Sequence, residues 1–546
     1  MNITSRLDLA AETHPARPAL IYFSSRNKRW ETVTYQELAD LTQRFVFGLL
    51  CLRMNSRRDF GIDPGMTAAL LTPPSVDFFA LAFALLKVGV VPIILDPAIG
   101  LTKVGECLAE AKPDIFIGNG FTHLLRKFLG WGGNSIKYNL SVEQVKDQGR
   151  RFEQVDGSKI ENLVSDHLMP VTDPRAAIIY TSGSTGIPKG VLFTHENFAA
   201  QLDMLVETFN ISPDEIDLPA FPLYALIDTL LGVTSVIPDI NFPVPGKTDP
   251  EKVLGAIQKF NVTNMFASPV VLDILVKFQQ QAGGVQKLQS LKRVITAGAP
   301  AKIQLQEDFR KLLYDETDLF GIYGATEVLP IAKVESRQVF EVKNRAEKGA
   351  GVCLGKPVKG SKVRVIGISD SAIRQWEDSL EVDPNVVGEI TVQGAAVTGS
   401  YIAREGSNQL AKIHDGHQII HRMGDVGYFD EQGRLWYCGR KSHRVITKDD
   451  VLFTEQIEGI FNIHPLVFRT ALVGVNGEPV LWVELKMGVR ENKDKIKDRL
   501  IDLAKEHPQA SRIRKFLFMK KFPTDVRHNS KIIREELTIL AKKRLT

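Results

Sequence analysis

Short apolar runs alternate with longer stretches of helical period along most of this chain. "TAALLT" from Thr67, "VVPIIL" from Val90, "DIFIG" from Asp114, "AAIIY" from Ala176, "TNMFAS" from Thr263 and "KRVITAG" from Lys292 read as buried strands, each with a candidate helix after it. That alternation predicts an α/β fold layered around largely parallel sheets, with ligand sites at the carboxyl ends of the strands. From Gly388 the texture shifts to shorter β-rich pieces, "GEITVQG" and "GRLWYCGR". From Ala471, "ALVGV" and "VLWVELK" alternate with "DKIKDRLIDLAKEH", which predicts a small α+β unit. The longest apolar run, Phe78 to Leu95, has the length of a membrane span. Lys87, Gly89 and Pro92 divide it, so it reads as a buried helix, Val76 to Leu86, then a buried strand, Val90 to Leu95.

One junction carries unusual chemistry. Directly after Ala176–Ile179 comes "YTSGSTGIPKGV", Tyr180 to Val191. Gly183, Gly186 and Gly190 let the backbone approach a ligand closely. Successive N–H groups with the hydroxyls of Thr181, Ser182, Ser184 and Thr185 form an anion cradle, and Lys189 adds a full charge. This suits a polyphosphate. The spacing is not that of the common P-loop, because Gly190 follows the lysine where Ser or Thr would stand. The bland alternative is a flexible Gly/Ser loop.

Length and composition bound the rest. A chain of 546 residues is too long for one core. With 44% hydrophobic and 24% charged residues it reads as an ordinary globular protein. The net charge of +4 does not point to nucleic acid. Residues 440–546 hold 23 Lys+Arg against 14 Asp+Glu, a net of +9, which leaves the first 439 residues at −5. A basic C-terminal piece can face an anionic ligand or be a solvated surface. Cys51, Cys107, Cys353 and Cys438 lack metal spacing and read as reduced thiols of a cytoplasmic protein. The N-terminus has no apolar core of signal-peptide type.

Further stretches line up with the first. "GIYGATEVLP", Gly321 to Pro330, puts glycines, an aromatic, a threonine and Glu327 on one loop; its carboxylate suits Mg²⁺ beside phosphate oxygens, or is simply a turn residue. "AGAP", Ala297 to Pro300, offers a flat backbone surface to a nucleobase. In "HRMGDVGYFDEQGRLWYCGRKSHRV", Asp425 is placed like a ribose-hydroxyl acceptor, or is a hairpin acid near the "DEQG" turn. "GRKSHR" reads as a hinge at the start of the basic region. Lys531 follows a Pro/Asn/Ser loop and precedes a short amphipathic end.

Together and in this order, these segments resemble the adenylate-forming superfamily of acyl-CoA synthetases, adenylation domains and luciferases. The resemblance runs from about Leu7 to the C-terminus. It implies a large N-terminal domain, residues 1–439, and a small mobile C-terminal domain, residues 440–546, with ATP and Mg²⁺ between them. Carried over, Thr181, Ser182, Gly183, Ser184, Thr185, Gly186 and Lys189 hold the pyrophosphate. Ala297, Gly298, Ala299 and Pro300 with Tyr323, Gly324 and Ala325 enclose adenine. Thr326 contacts phosphate, Glu327 holds Mg²⁺, Asp425 takes the ribose hydroxyls, and Arg440 is a second ribose or phosphate contact. Lys531 resembles the lysine that reaches carboxylate and α-phosphate. Phe221, Tyr224, Phe266 and Ser268 are the implied acyl-site residues.

The chain departs from the CoA-ligase pattern at the hinge, where Ser442 stands near the place of the usual acid or lysine beside Lys441, and in two further segments. "DLPAFPLYALIDTLLGVTS", Asp217 to Ser235, lacks the His of the thiol-gating segment, and "VITKDDVLFTEQIE" after the hinge lacks the glycines of the pantetheine passage. "DLPAFPLYALIDTLLGVTSVIPD", "HRMGDVGYFDEQGRLWYCGRKSHRV" and "RHNSKIIREEL" resemble the olefin β-lactone synthetases of bacterial long-chain hydrocarbon biosynthesis. That resemblance implies a 2-alkyl-3-hydroxy fatty acid, adenylated and then closed by its own 3-hydroxyl to a β-lactone with release of AMP. It also implies pathway partners: a thiolase, a reductase and an α/β-hydrolase-like decarboxylase. The rival readings are a long-chain acyl-CoA synthetase or acyl-AMP ligase, and a non-catalytic binding protein on the same fold. For the base that takes the hydroxyl proton, the sequence offers His195, Tyr224 and His443.

Overall fold

The computed structural model describes residues 2–54, 62–96, 99–153, 173–180, 188–221, 223–283, 286–525 and 531–545. Two large sheets dominate. One runs, from strand to strand, Ser400–Tyr401, Gly190–Thr194, Arg175–Tyr180, Val91–Leu95, Thr67–Leu71, Ile115–Gly118 and Tyr138–Ser141. Its five strands from Arg175–Tyr180 to Tyr138–Ser141 are parallel. Such strands are buried on both faces, which is why they read as unbroken apolar runs rather than alternating ones.

The other sheet has 14 strands among the described residues. In one half, Asp318–Ala325, Arg293–Thr296, Asn264–Ala267, Ile216–Pro219, Thr234–Ile237 and Pro18–Ser24 are parallel. The other half is antiparallel and takes in Val328–Glu335, Val352–Pro357, Leu435–Arg440, Gln418–Phe429, Gly388–Gln393 and Lys362–Ile366. The change of texture at Gly388 in the sequence therefore falls inside this antiparallel half.

Helix Val76–Lys87 begins at Ser75, whose side chain accepts from the Phe78 amide at 3.2 Å. Phe78 to Leu86 are all buried. Lys87 ends the helix paired with Asp8 at 2.5 Å. The cation that argued against a membrane span thus sits at the helix end with a partner. No helix among the described residues is long and apolar enough to cross a membrane.

Two local expectations are corrected. Arg175–Tyr180 is not followed directly by a helix: Gly190–Thr194 returns antiparallel, with Tyr180 opposite Gly190, before helix His195–Phe209 begins. "GIYGATEVLP" is not one loop but the tip of a hairpin, with Ala325 opposite Val328 and a turn at Thr326 and Glu327.

Beyond Arg440, the strands Val467–Val475, Glu478–Leu485 and Lys515–Met519 make a separate three-stranded sheet. It shares a core with helices Thr454–Asn462 and Lys493–Lys505, built from residues between Val445 and Phe518. At the junction, Gly439 has φ +132°, and a Cβ there would lie 2.2 Å from Thr454 Oγ1. No side chain fits, so the chain leaves the large sheet pressed against the next helix.

Candidate active site

The carboxyl ends of the parallel strands open into one cavity of about 800 Å³. At its polar end, the hairpin turn delivers Glu327, strand Gln418–Phe429 delivers His421 to Gly424, and Leu435–Arg440 delivers Arg440. Lys189 enters just before its strand, and Lys531 reaches the same cavity from the C-terminal unit.

Glu327 is the centre of this end. Its Oε1 accepts from the Tyr401 hydroxyl. Lys189 lies over the Tyr401 ring at 4.6 Å and Lys412 at 5.5 Å. Burial works against the Glu327 charge, but the polar groups around it, with the Tyr401 hydroxyl and the Lys412 ammonium among them, outweigh it and hold the carboxyl below its usual pKa. Burial lowers Lys412 to about 8, and it donates to Thr398 O at 2.5 Å. Lys189 is open to solvent on one side, yet the walls strip part of its hydration and lower its pKa. Burial drives His421 down to about 3, so it is a neutral imidazole. Its Nδ1 lies 3.1 Å from the Ala411 carbonyl, an acceptor, so Nδ1 carries the proton.

Asp425 stands in mid-strand opposite Arg440, not beside the "DEQG" turn. Its Oδ2 accepts from Tyr323 at 2.7 Å, and Oδ1 is 3.1 Å from Arg440 Nη1. Burial pushes its carboxyl up, against the pull of Arg440 and Tyr323. Oδ1 is buried and makes no hydrogen bond among the described residues. Arg440 is raised still further above its ordinary value, first by Asp425.

The other end of the cavity is apolar. Helix Val76–Lys87 gives Ala82, Phe83 and Leu86, helix Tyr224–Leu231 gives Tyr224, Leu226, Ile227 and Leu230, and Phe242 and Pro245 close the far side. Phe221, Tyr224, Phe266 and Ser268 all meet here. Tyr224 stacks on Phe266 at 3.7 Å, with Phe221 at 6.2 Å. Ser268 Oγ is buried without a hydrogen-bond partner among the described residues. An apolar pocket with a few convergent polar groups is the usual form of a small-molecule site.

Of the residues named from sequence, the cavity also brings in Ala297, Gly298, Gly324, Ala325 and Thr326. Gly298 has φ +91°, which leaves a bare backbone face. Ala299, Pro300, Tyr323 and Asp425 are not in its wall; Tyr323 and Asp425 form a bonded pair behind it. Thr181, Ser182, Gly183, Ser184, Thr185 and Gly186 lie outside the described residues. His195 and His443 are not in the wall either: His195 Nδ1 accepts from the Ile3 amide at 3.3 Å, and His443 lies 3.5 Å from Glu535. Sequence reasoning missed Tyr401, Lys412, His421 and the buried Arg422–Glu389 pair at 2.6 Å, which Lys441 joins at 3.0 Å. His421 and Arg422 precede Asp425 by a few residues in the same strand, the one signal that would have placed them.

The site fits ATP and Mg²⁺ by its donor set. Lys189, Arg440 and Lys531 line the cavity and suit phosphate, while Asp425, ion-paired with Arg440 behind the wall, fixes that guanidinium. Glu327 is an ionised carboxylate, and no group of three His, Cys, Asp or Glu capable of holding a metal occurs among the described residues. A metal here would take most of its ligands from phosphate and water, as Mg²⁺ does.

Residues 7–402 match the AMP-binding enzyme family. The chain is similar to the olefin β-lactone synthetase of Xanthomonas campestris pv. campestris, 39% identical over 530 residues that cover 93% of this chain and 91% of the relative. It is equally similar, at 39% over 497 residues, 89% of this chain and 88% of the relative, to the olefin β-lactone synthetase of Stenotrophomonas maltophilia. The fold is shared with O-succinylbenzoate coenzyme A synthetase (MenE) of Bacillus subtilis, solved with ATP and magnesium ion. That likeness has a TM-score of 0.73 at 21% identity and covers 97% of this chain and 98% of the other. The chain therefore belongs to the AMP-binding enzyme family and is an adenylate-forming enzyme.

Proposed function

We propose that this enzyme adenylates a 2-alkyl-3-hydroxy fatty acid and closes it to a β-lactone, releasing pyrophosphate and AMP. The observation that carries the reading is the 39% identity, across almost the whole chain, to two olefin β-lactone synthetases. The cavity supports it, since one continuous space joins a cationic end to a long apolar end.

A carboxylate is a poor electrophile because its leaving group would be oxide. Attack of a carboxylate oxygen on the α-phosphorus breaks the bond to pyrophosphate and gives a mixed anhydride. The protein's part is positioning and charge stabilisation. Lys531 and Lys189 face the phosphates, Arg440, set by Asp425 behind it, faces the ribose, and the Tyr224–Phe266 stack orients the chain beside its carboxyl. Thr181 to Gly186 are assigned to the pyrophosphate. Bound at Glu327, Mg²⁺ would neutralise phosphate oxygens. In the second step the substrate's 3-hydroxyl oxygen attacks its own acyl carbon and the bond to AMP breaks. The nucleophile is already in place, so no second substrate need enter.

Residues 1–439 and 440–546 act as two domains, the second carrying Lys531 and turning about Arg440. The turn after the hinge supports a path without pantetheine. Where glycines would line such a passage, Val445–Ile446 and Val451–Leu452 pair as a hairpin closed by Thr447 and Asp450. The buried, unpaired cysteines suit a cytoplasmic setting. A thiolase and a reductase would supply the substrate and an α/β-hydrolase-like decarboxylase would consume the lactone, in a shared complex.

The test is product analysis from ATP, Mg²⁺ and a synthetic 2-alkyl-3-hydroxy acid, with and without CoA. β-Lactone, AMP and pyrophosphate are expected in both cases. A thioester formed from an acid without the hydroxyl, as fast as the hydroxy acid is consumed, would overturn the proposal in favour of an acyl-CoA ligase.

A further inference from the structure

Helix Gly120–Leu129 is turned inside out. Asn119 caps it by accepting from the Thr122 amide at 2.9 Å, and Gly130 ends it in the left-handed conformation. Its sequence, "GFTHLLRKFL", has a sharply amphipathic period. An ordinary surface helix would turn Phe121, Leu124 and Phe128 to the core, since they share one face at i, i+3 and i+7. Here that face is outside: Phe121 is 66% exposed, Leu124 51%, Phe128 78% and Leu129 50%, and no residue of the helix is fully buried.

The protein side is held by Leu125, which packs against the core around Phe116 and Trp131, and by polar groups. His123 Nε2 lies 2.9 Å from the Leu140 carbonyl and its ring meets Phe116 at 5.1 Å. The Arg126 guanidinium lies over Phe116 at 5.6 Å. The inversion is therefore built in, not a fraying of the helix. Exposing such a ridge to water is unfavourable, by about 25 cal/mol for each Å² of apolar surface. Patches of this kind mark interaction sites.

What covers the ridge follows from its charge and its size. Between Asp114 and Glu143 the chain has no Asp or Glu, while Arg126, Lys127 and Lys137 are basic. Lys137 is paired with Asp114 at 2.9 Å, which leaves the helix's own two cations. Lys127 stands exposed beside the apolar ridge. The four side chains offer on the order of 400 Å². That is about half of the roughly 800 Å² per partner of a stable protein interface. A short ridge of Phe and Leu beside cations, in a stretch of chain without acids, has the chemistry of a helix lying in the plane of a lipid surface.

We propose that helix Gly120–Leu129 docks this enzyme onto the surface of an anionic lipid bilayer. Phe121, Leu124, Phe128 and Leu129 enter the boundary between headgroups and acyl chains, and Lys127 stays among the headgroups. No helix among the described residues can cross the bilayer, so the attachment is peripheral and reversible. The inference rests on the helix itself and stands or falls apart from the lactone reading.

The test uses the full chain in flotation with vesicles of phosphatidylcholine alone and of phosphatidylcholine with 30% phosphatidylglycerol, roughly the anionic content at which basic segments bind. The unaltered protein should float with the anionic vesicles at least tenfold more than with the neutral ones. The triple variant Phe121→Ser, Leu124→Ser, Phe128→Ser should lose that binding at least tenfold, and Lys127→Glu severalfold, with ATP–pyrophosphate exchange unchanged in both. If the triple variant does not fold, Leu124→Glu alone carries the test. Equal flotation of variant and unaltered protein overturns the proposal. So does an unaltered protein that ignores vesicles but is a dimer which the substitutions split, because the ridge then covers a second copy.

Discussion

The two ends of the cavity are built in opposite ways. At the nucleotide end a few charged groups sit at strand termini and in a hairpin turn, and several share partners: Glu327 with Tyr401, Asp425 with Tyr323 and Arg440. At the other end the walls come from segments as distant as Ile3, Phe83, Leu226 and Phe266, and the lining is mostly apolar. The difference follows from what each end must do. Stabilising charge requires particular groups at fixed distances, and rigid strands give that. Holding alkyl chains requires volume and apolar surface, which many side-chain combinations satisfy. Substitutions at the first end should be severe and specific in chemistry, and those at the second mild and specific in size.

The largest effect is expected at Lys531. Lys531→Ala should lower adenylate formation by about 10²–10³-fold, the loss typical of one preorganised charge, while ATP binding barely changes. Stopped-flow pyrophosphate release against nucleotide-binding titrations separates the two. Near-normal release would remove Lys531 from the chemistry. Next comes Glu327→Gln. The amide cannot hold a hard cation as a carboxylate does, so the magnesium midpoint of the first half-reaction should rise by about tenfold. An unchanged magnesium titration would reduce Glu327 to a partner of Tyr401.

The acyl end should answer differently. Leu230 lines the cavity from helix Tyr224–Leu231. Leu230→Phe adds bulk there and should favour shorter alkyl arms by severalfold to tenfold, since one methylene in an apolar pocket is worth about 1–3 kcal/mol. Rates for the shortest arms, and their dependence on ATP, should not move. A uniform loss across all chain lengths would mean that the two ends are not separable.

The same contrast explains what the sequence made legible. The strands at Thr67, Val91, Ile115, Asn264 and Arg293 appear where apolar runs predicted them, because parallel strands buried on both faces leave an unbroken signature. Glu327, Arg440 and Lys531 could be picked out because each lies in a short motif, and all three reach the cavity. Ala299 and Pro300 fall outside its wall because a motif fixes a stretch of chain, not the direction of each residue in it. Tyr401 and Lys412 were not legible. Their roles arise from two strand pairs that meet Glu327 only in the fold, with Tyr401 placed by pairing against Val191 and Lys412 by pairing against His421. Most of the apolar lining was hidden for the same reason: no local pattern distinguishes a leucine facing a cavity from one facing the core.

The smallest effect concerns the back of the acyl wall. Helix Tyr224–Leu231 turns Asp228 inward, where it accepts from Ser235 and faces Asp217 on strand Ile216–Pro219. Both acids are buried, with Glu215 bound to Arg293 at 2.6 Å nearby and Tyr224 and Tyr35 packed around Asp228. Two facing carboxyls in such a place cannot both be charged, and burial drives Asp217 well up and Asp228 from 3.8 to about 7. The folded state thus keeps a proton that the unfolded chain gives up near pH 4. The stability tied to that proton is complete below about pH 4, declines as pH rises, and is lost by about pH 7. Asp228→Asn cannot ionise and can still bond to Ser235, so it should escape this loss. At pH 8 its melting temperature should exceed that of the unaltered enzyme by a few degrees, with the gap closing towards pH 5. Melting curves that run parallel across this range would show that the acid pair carries no titrating proton. The nucleotide end would then be the sole part of the cavity whose behaviour is set by charge.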